Sequence, residues 1–393
     1  MISIRECVSD VDLIRDEHVT FVNSYTERVI GFYLDVFKYL KKLEDTKGKG
    51  KTKIKINRDI KEIKNKNKSG DYKDLLKAFL NKGCALSKED KAYQIKYRDN
   101  WIDSSINLTD VISRLENLKI NSKKILEFNF DGNSLAIQRS YKLLQLFHTD
   151  ISFLLGKIFD YDGWFSLLDN HKSWGPYQLT KKLNLNSCPY CNRQYTFTVI
   201  NLKGGKVARP ELDHFLPQSK HPLLALSFYN LIPSCHVCNS SVKGSADTKY
   251  ETHLNPYEKN DKHSLMRFTY VPQTYEGAVG LTEEVDVELK YNGDSADTIT
   301  KAKVEGNIDL FCLNDLYKNH SDNVQEIIRK REVSGDKYIE IMQKTFTDFP
   351  IKIEDAYRLA YGNYYLEKDF SRRALSKLTK DIAIELDTLI EYK

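Results

Sequence analysis

Two Cys-x-x-Cys hooks, Cys188-Pro189-Tyr190-Cys191 and Cys235-His236-Val237-Cys238, constrain this chain more than any other feature. Two residues between paired cysteines let both sulfurs of a hook face one ion while the backbone turns around it. Two such hooks supply the four thiolates of a tetrahedral zinc site. Four thiolates leave no open coordination position, so the zinc expected at Cys188, Cys191, Cys235 and Cys238 is structural. It would staple a module too small to hold itself together by burial alone. The chain has seven cysteines and no apolar signal core near its start, which favours reduced thiols over a disulfide framework. Cys7, Cys84 and Cys312 stand apart and read as ordinary buried or half-buried thiols.

Between the hooks lies Leu212-Asp213-His214-Phe215-Leu216-Pro217, and Asn239 follows the last cysteine directly. Asp213 and His214 fall at the end of an expected strand. Side chains alternate along a strand, so the pair diverges, one suited to hold a cation and the other to act as a base. Asn239 stands at the start of an expected helix running through Ser240-Ser241-Val242-Lys243, and the zinc would pin it relative to the Asp213-His214 strand. Phosphodiester hydrolysis asks for such a set: a base for water, a cation for the developing charge, and groups that hold the phosphate.

In this order the residues resemble the HNH or His-Me finger endonucleases, whose core is a ββα unit holding one divalent ion. The layout is most similar to members with four zinc cysteines, such as phage endonuclease VII. The stretch Ser227-Phe228-Tyr229-Asn230-Leu231-Ile232-Pro233-Ser234-Cys235, with Lys243-Gly244 beyond, is also similar to the HNH subunit of Septu-type and retron-linked anti-phage systems. The strong resemblance covers about residues 185–257. A weaker one extends through Leu313-Asn314-Asp315-Leu316-Tyr317-Lys318-Asn319-His320, and the first 180 residues match nothing recognisable.

The resemblance implies a role for each matching residue. His214 would be the general base, with an unperturbed pKa of about 6.5 that leaves it neutral at physiological pH. Asp213 and Asn239 would hold Mg²⁺ or Mn²⁺ through oxygen, and phosphate oxygens and waters would complete the shell. Asn230 would hold the loop and orient His214 by a hydrogen bond. Lys243 would touch a phosphate, or simply lie at the surface. Asn239 would also suit a helix N-cap, a role that does not exclude the ligand role. His253 is either a further metal ligand or a structural residue. His221 and His236 lie off the pattern, at the surface or along a groove.

Around this core the expected fold class is α+β: a zinc-stapled ββα-metal (HNH) nuclease core with an extra β segment and mainly α-helical flanks. Residues 1–180 read as helical, with apolar residues at three- and four-residue steps from Phe21 to Leu40, from Leu108 to Leu118 and from Leu143 to Ile158. Residues 181–260 form the core, with strands over 193–214 around a Gly204-Gly205 turn. Residues 261–300 carry period-two alternation (Phe268, Tyr270; Val285, Val287, Leu289, Tyr291) and 301–393 return to helix. The segment 41–70 holds twelve Lys/Arg against four Asp/Glu. It is either a solvated loop or an arm that tracks a phosphate backbone.

The whole chain is nearly balanced, 60 Lys/Arg against 55 Asp/Glu, which is compatible with nucleic acid without demanding it. No run of eighteen apolar residues occurs, so no membrane span is expected, and the location expected is the cytoplasm. The leading expectation is a metal-dependent DNA endonuclease of bacterial anti-phage defence. An ATPase or other defence-system partner is implied by resemblance only, and a homodimer would let one site per chain cut both strands. Two alternatives stay open: a zinc-dependent nucleic-acid-binding module without catalysis, and an RNA-cleaving toxin on the same scaffold. Retention of Asp213, His214 and Asn239 weighs against the first. The hydrolytic chemistry does not separate DNA from RNA.

Overall fold

The period-two alternation after residue 264 produces an antiparallel ribbon in the computed structural model. The model describes residues 1–45, 58–59, 62–63, 107–130, 152–165, 174–203, 205–258, 264–335, 338–345 and 352–386. The chain groups into two compact units, each discontinuous in sequence. One comprises Met1–Val11, Thr180–Phe215 and Ile232–Lys393, the other Asp12–Leu179 and Leu216–Leu231.

The first unit carries the strands. β1 (Val199–Ile200) and β2 (Lys206–Ala208) form a short hairpin. Asn201 organises its turn, its Oδ1 accepting the N–H groups of Lys203 and Gly205. β3 (Glu211–His214) pairs with β4 (Leu231–Ser234), whose first residue marks the boundary between the units. A wide helical turn, Val237–Lys243, follows β4. β5 (Met266–Pro272) pairs with β6 (Val285–Tyr291) in a register that sets Phe268 opposite Leu289 and Tyr270 opposite Val287.

Met266, Phe268, Val285, Val287 and Leu289 are buried, giving the ribbon one apolar face. Helices Thr298–Leu310, Leu313–Tyr317, Ser321–Ser334 and Ser376–Glu385 pack on the ribbon. They bury Val304, Val324, Ile327, Ile328, Leu378 and Ile382. A two-stranded ribbon has two free edges, and buried N–H groups there need partners. Asp381 accepts the Phe268 N–H at 3.0 Å and Asn314 accepts that of Leu289 at 2.7 Å. Gly306 lets helix Thr298–Leu310 lie directly on the turn that holds Thr252: a Cβ there would collide with the Thr252 carbonyl.

The second unit is helical among its described residues. The 35-residue helix Val11–Asp45 buries Val19, Val22, Tyr25, Val29, Phe32, Tyr33, Val36 and Phe37, one stripe at helical spacing. Helix Leu108–Leu126 starts at Asn107, whose side chain accepts the N–H groups of Thr109 and Asp110, and buries Leu108, Val111, Leu115 and Leu118. Ser122 donates to Asn23 at 2.6 Å, and Lys38 pairs with Glu116 at 2.7 Å, joining the two helices. His18 is fully buried between the rings of Phe165, Trp174 and Phe228. Its Nδ1 accepts from the Trp174 indole at 3.0 Å, which leaves Nε2–H to donate to the Leu226 carbonyl at 2.9 Å.

The α+β class is therefore present, with mixed helices and small antiparallel sheets. Most of the basic segment 41–70 lies outside the described residues, as do Cys84, Leu143, Leu144 and Phe147. Among the described residues no helix is long and apolar enough to cross a membrane.

Candidate metal centre and the Asp213-His214 strand

The four hook cysteines converge as their spacing requires. All four are buried and their sulfurs lie within 4.8 Å of one another. Tetrahedral zinc with Zn–S bonds of about 2.3 Å places sulfurs about 3.8 Å apart, and Cys191 Sγ stands 4.0 Å from Cys235 Sγ. Backbone donors support the sulfurs, Arg193 N–H to Cys191 and Cys238 N–H to Cys235, each at 3.4 Å. Burial pushes the Cys188 thiol well above its ordinary range. A divalent cation reverses that penalty, so the donor set fits structural zinc.

The first hook is fixed locally by the Asn192 N–H on the Cys188 carbonyl (2.7 Å), with Asn192 in the left-handed region at φ 48°. The Asn192 side chain donates to Ser187 Oγ and the Phe370 carbonyl and accepts the Lys377 N–H, tying the hook to the C-terminal helices. Tyr190 stacks on Phe311 at 4.2 Å, and the Tyr317 hydroxyl donates to the Cys191 carbonyl. The second hook bridges the end of β4 and the helical turn, where the Asn239 N–H closes on the Cys235 carbonyl at 3.0 Å.

That turn is cross-linked to β3 by side chains two residues apart on one strand face. Asp213 accepts from Lys243 Nζ at 2.6 Å on Oδ1 and from the Tyr190 hydroxyl at 2.7 Å on Oδ2. Lys243 also donates to the His214 carbonyl at 2.5 Å. Burial and the Asp213 charge push the Tyr190 phenol well above its ordinary range, so it stays a donor. Glu211 accepts from Asn239 Nδ2 and Ser240 Oγ and meets His236 Nδ1, each at 2.7 Å. Partial burial raises the Glu211 pKa, but hydrogen bonds from His236, Ser240 and Asn239 outweigh it and hold the carboxyl below its usual range.

Several expected site residues therefore meet, in an arrangement that departs from the expectation at two of them. Lys243 is 4% exposed and committed to Asp213, so it faces the interior and not a phosphate. Asp213 is 3% exposed with both oxygens engaged, so it offers no open seat to a catalytic Mg²⁺ or Mn²⁺ in this arrangement. Among the described residues, the four cysteines are the cluster of three or more Cys, His, Asp or Glu able to hold an ion. In this arrangement Asp213 is closed to the catalytic cation, and no chemical step is derived through one.

His214 ends β3 half-buried, on the face opposite Asp213 by strand alternation. Asn239 lies in the first turn after the hook, with its amide nitrogen on Glu211. His253 Nδ1 lies 3.2 Å from the Lys249 N and O and 3.0 Å from Thr252 Oγ1, held by its own turn. Burial lowers its pKa. His236 is exposed beside Glu211.

In the second unit Asn230 is fully buried and holds the loop before it. Its Oδ1 accepts the Leu216 N–H at 2.7 Å, and its Nδ2 donates to the carbonyls of Leu216 (3.1 Å) and Leu224 (3.0 Å). All three bonds go to backbone and none to an imidazole. Glu211 escaped the sequence reading. Its signal was its position two residues before Asp213, which puts both carboxylates on one strand face.

A stretch of 107 residues, 26% of this chain, is 31% identical to the Septu protein PtuB of Bacillus thuringiensis. The match spans 38% of that relative's length, so the likeness covers a part of each protein and ties this chain distantly to a Septu protein. No family model matches the chain, and no solved structure matches it.

Proposed function

We propose that the chain is a zinc-stapled phosphodiesterase of the HNH, ββα-metal type, acting on DNA in anti-phage defence. The carrying observation is that buried cysteines lock the turn bearing Asn239 while Lys243 and Glu211 bind that turn to the strand bearing His214. This gives His214 a rigid mount at a half-buried position, which suits a base that must reach water. Mg²⁺ or Mn²⁺, where bound, would supply charge stabilisation at the phosphate. The chain's own residues supply the base and its positioning. The similarity to a Septu protein supports the defence context. An ATPase or other defence-system partner is part of the proposal.

One observation favours a second reading. The sealed Asp213–Lys243 pair suits a zinc-dependent nucleic-acid-binding module without catalysis. A plasmid assay separates the two, using zinc-loaded protein with Mg²⁺ or Mn²⁺ and with EDTA and His214→Ala as controls. Nicked or linear product lost in both controls supports the nuclease. Binding without cleavage of DNA or RNA supports the module, and cleavage of RNA alone moves the proposal to an RNA-cutting toxin.

A further inference from the structure

The segment 193–210 leaves the first zinc hook at Cys191 and enters β3, which carries Asp213 and His214. It places two large aromatic side chains in solvent. Tyr195 is 50% exposed and Phe197 48%, with ring centroids 5.0 Å apart and planes only 12° from parallel. Such exposure of two adjoining rings forgoes the burial that rings such as Tyr190 and Phe215 obtain. The backbone beneath them is fixed. Thr196, between the two, is buried, with its N–H on the Asn186 carbonyl (2.9 Å) and its hydroxyl on the Leu185 carbonyl (3.1 Å), while Tyr195 bridges to Ser187. The ring pair therefore stands on the segment that bridges back to Ser187, beside the zinc hook. The same segment contains Arg193, Lys203, Lys206 and Arg209 and no carboxylate, in a chain whose charges otherwise nearly cancel.

We propose that Tyr195 and Phe197 form a stacking platform for unpaired bases of a nucleic-acid strand, with the cations of the same hairpin meeting its backbone. Flat, near-parallel rings on a segment that also carries cations suit single strands, because every base has a π-face and every nucleotide a phosphate. A duplex keeps its bases stacked on one another and offers the platform little. The platform deepens the nuclease reading: it would deliver a single strand, or a duplex locally opened, toward the strand bearing His214.

The test is fluorescence anisotropy with full-length, zinc-loaded His214→Ala protein, which keeps the probe intact. The probes are a labelled oligothymidine of about 20 nucleotides and a duplex of equal length. The Tyr195→Ala/Phe197→Ala variant should bind the single strand about tenfold or more weakly. Its duplex affinity and zinc content should stay unchanged, and Tyr195→Phe/Phe197→Trp should restore binding. Unchanged single-strand affinity overturns the proposal, as does an equal loss on both probes or no binding by the parent protein. A self-association of the parent that the alanine variant abolishes, with oligonucleotide binding intact, would assign the rings to a copy–copy contact and also overturn it. Plasmid cleavage by the protein with His214 intact is read separately, so failure of the platform and failure of the nuclease reading are distinguishable.

Discussion

Lys243 closes on Asp213 with Nζ 2.6 Å from Oδ1, both side chains nearly sealed from water. The pair joins the helical turn after the second hook to the strand before it. It sits where the sequence resemblance expected a metal ligand and a phosphate contact. Removing one partner leaves the other charge buried and unpaired, which costs more than the pair contributes. Lys243→Met should destabilise the protein by about 3–5 kcal/mol in urea unfolding. Adding Asp213→Asn to that variant should recover part of the loss. A Lys243→Met cost under about 1 kcal/mol would mean the pair is solvated and the lysine free for other work.

His214→Ala tests the base without disturbing the staple. Its ring lies on the strand face away from Asp213, and its carbonyl, which Lys243 uses, survives the substitution. Cleavage should fall by about 10²–10⁴-fold, the range of general-base contributions, with zinc content and unfolding midpoint unchanged. Retained cleavage in a clean preparation would remove His214 from the role.

The zinc site should behave as folding energy. Cys238 is fully buried, and a serine there offers no thiolate to the ion. Cys238→Ser should bind less than one zinc per chain by elemental analysis and lose near-UV dichroism. A strong chelator should bring the parent protein to the same state. A soluble, fully active Cys238→Ser protein would show that the hooks hold nothing together.

The hooks, the Asp213-His214 strand and the β5–β6 alternation were legible because each rests on short-range periodicity or paired spacing. The Asp213–Lys243 and Glu211–Asn239 contacts were not. They need the strand and the turn to be side by side, and thirty residues separate the first pair in sequence. A lysine five residues past a metal hook reads as a surface cation until its partner is seen. The grouping into units was equally hidden: 216–231 leaves the unit of its neighbours on both sides, a relation no local pattern records. His18 gave no signal either. Its burial depends on Trp174 and Leu226, more than 150 residues away in the chain.

That histidine makes the helical unit sensitive to acid. Burial lowers the His18 pKa from 6.5 to about 4, while the hydrogen bond to the Leu226 carbonyl only partly opposes the shift. With Nδ1 accepting from Trp174, a second proton would face an N–H donor with no acceptor. The unfolded chain binds that proton at its ordinary pKa, so between the two values the unfolded state holds more protons than the folded one. Stability is thus complete above pH 6.5 and is lost as pH falls toward the folded value, about 3 kcal/mol in all. Roughly 2 kcal/mol of this should disappear between about pH 7 and pH 5, read from urea unfolding at each pH. His18→Gln does not titrate, and its amide can still donate to the carbonyl and accept from the indole. Its unfolding should be flatter over the same interval by that amount. If the parent and His18→Gln show the same slope, His18 is already protonated in the fold and the tautomer assigned to it is wrong.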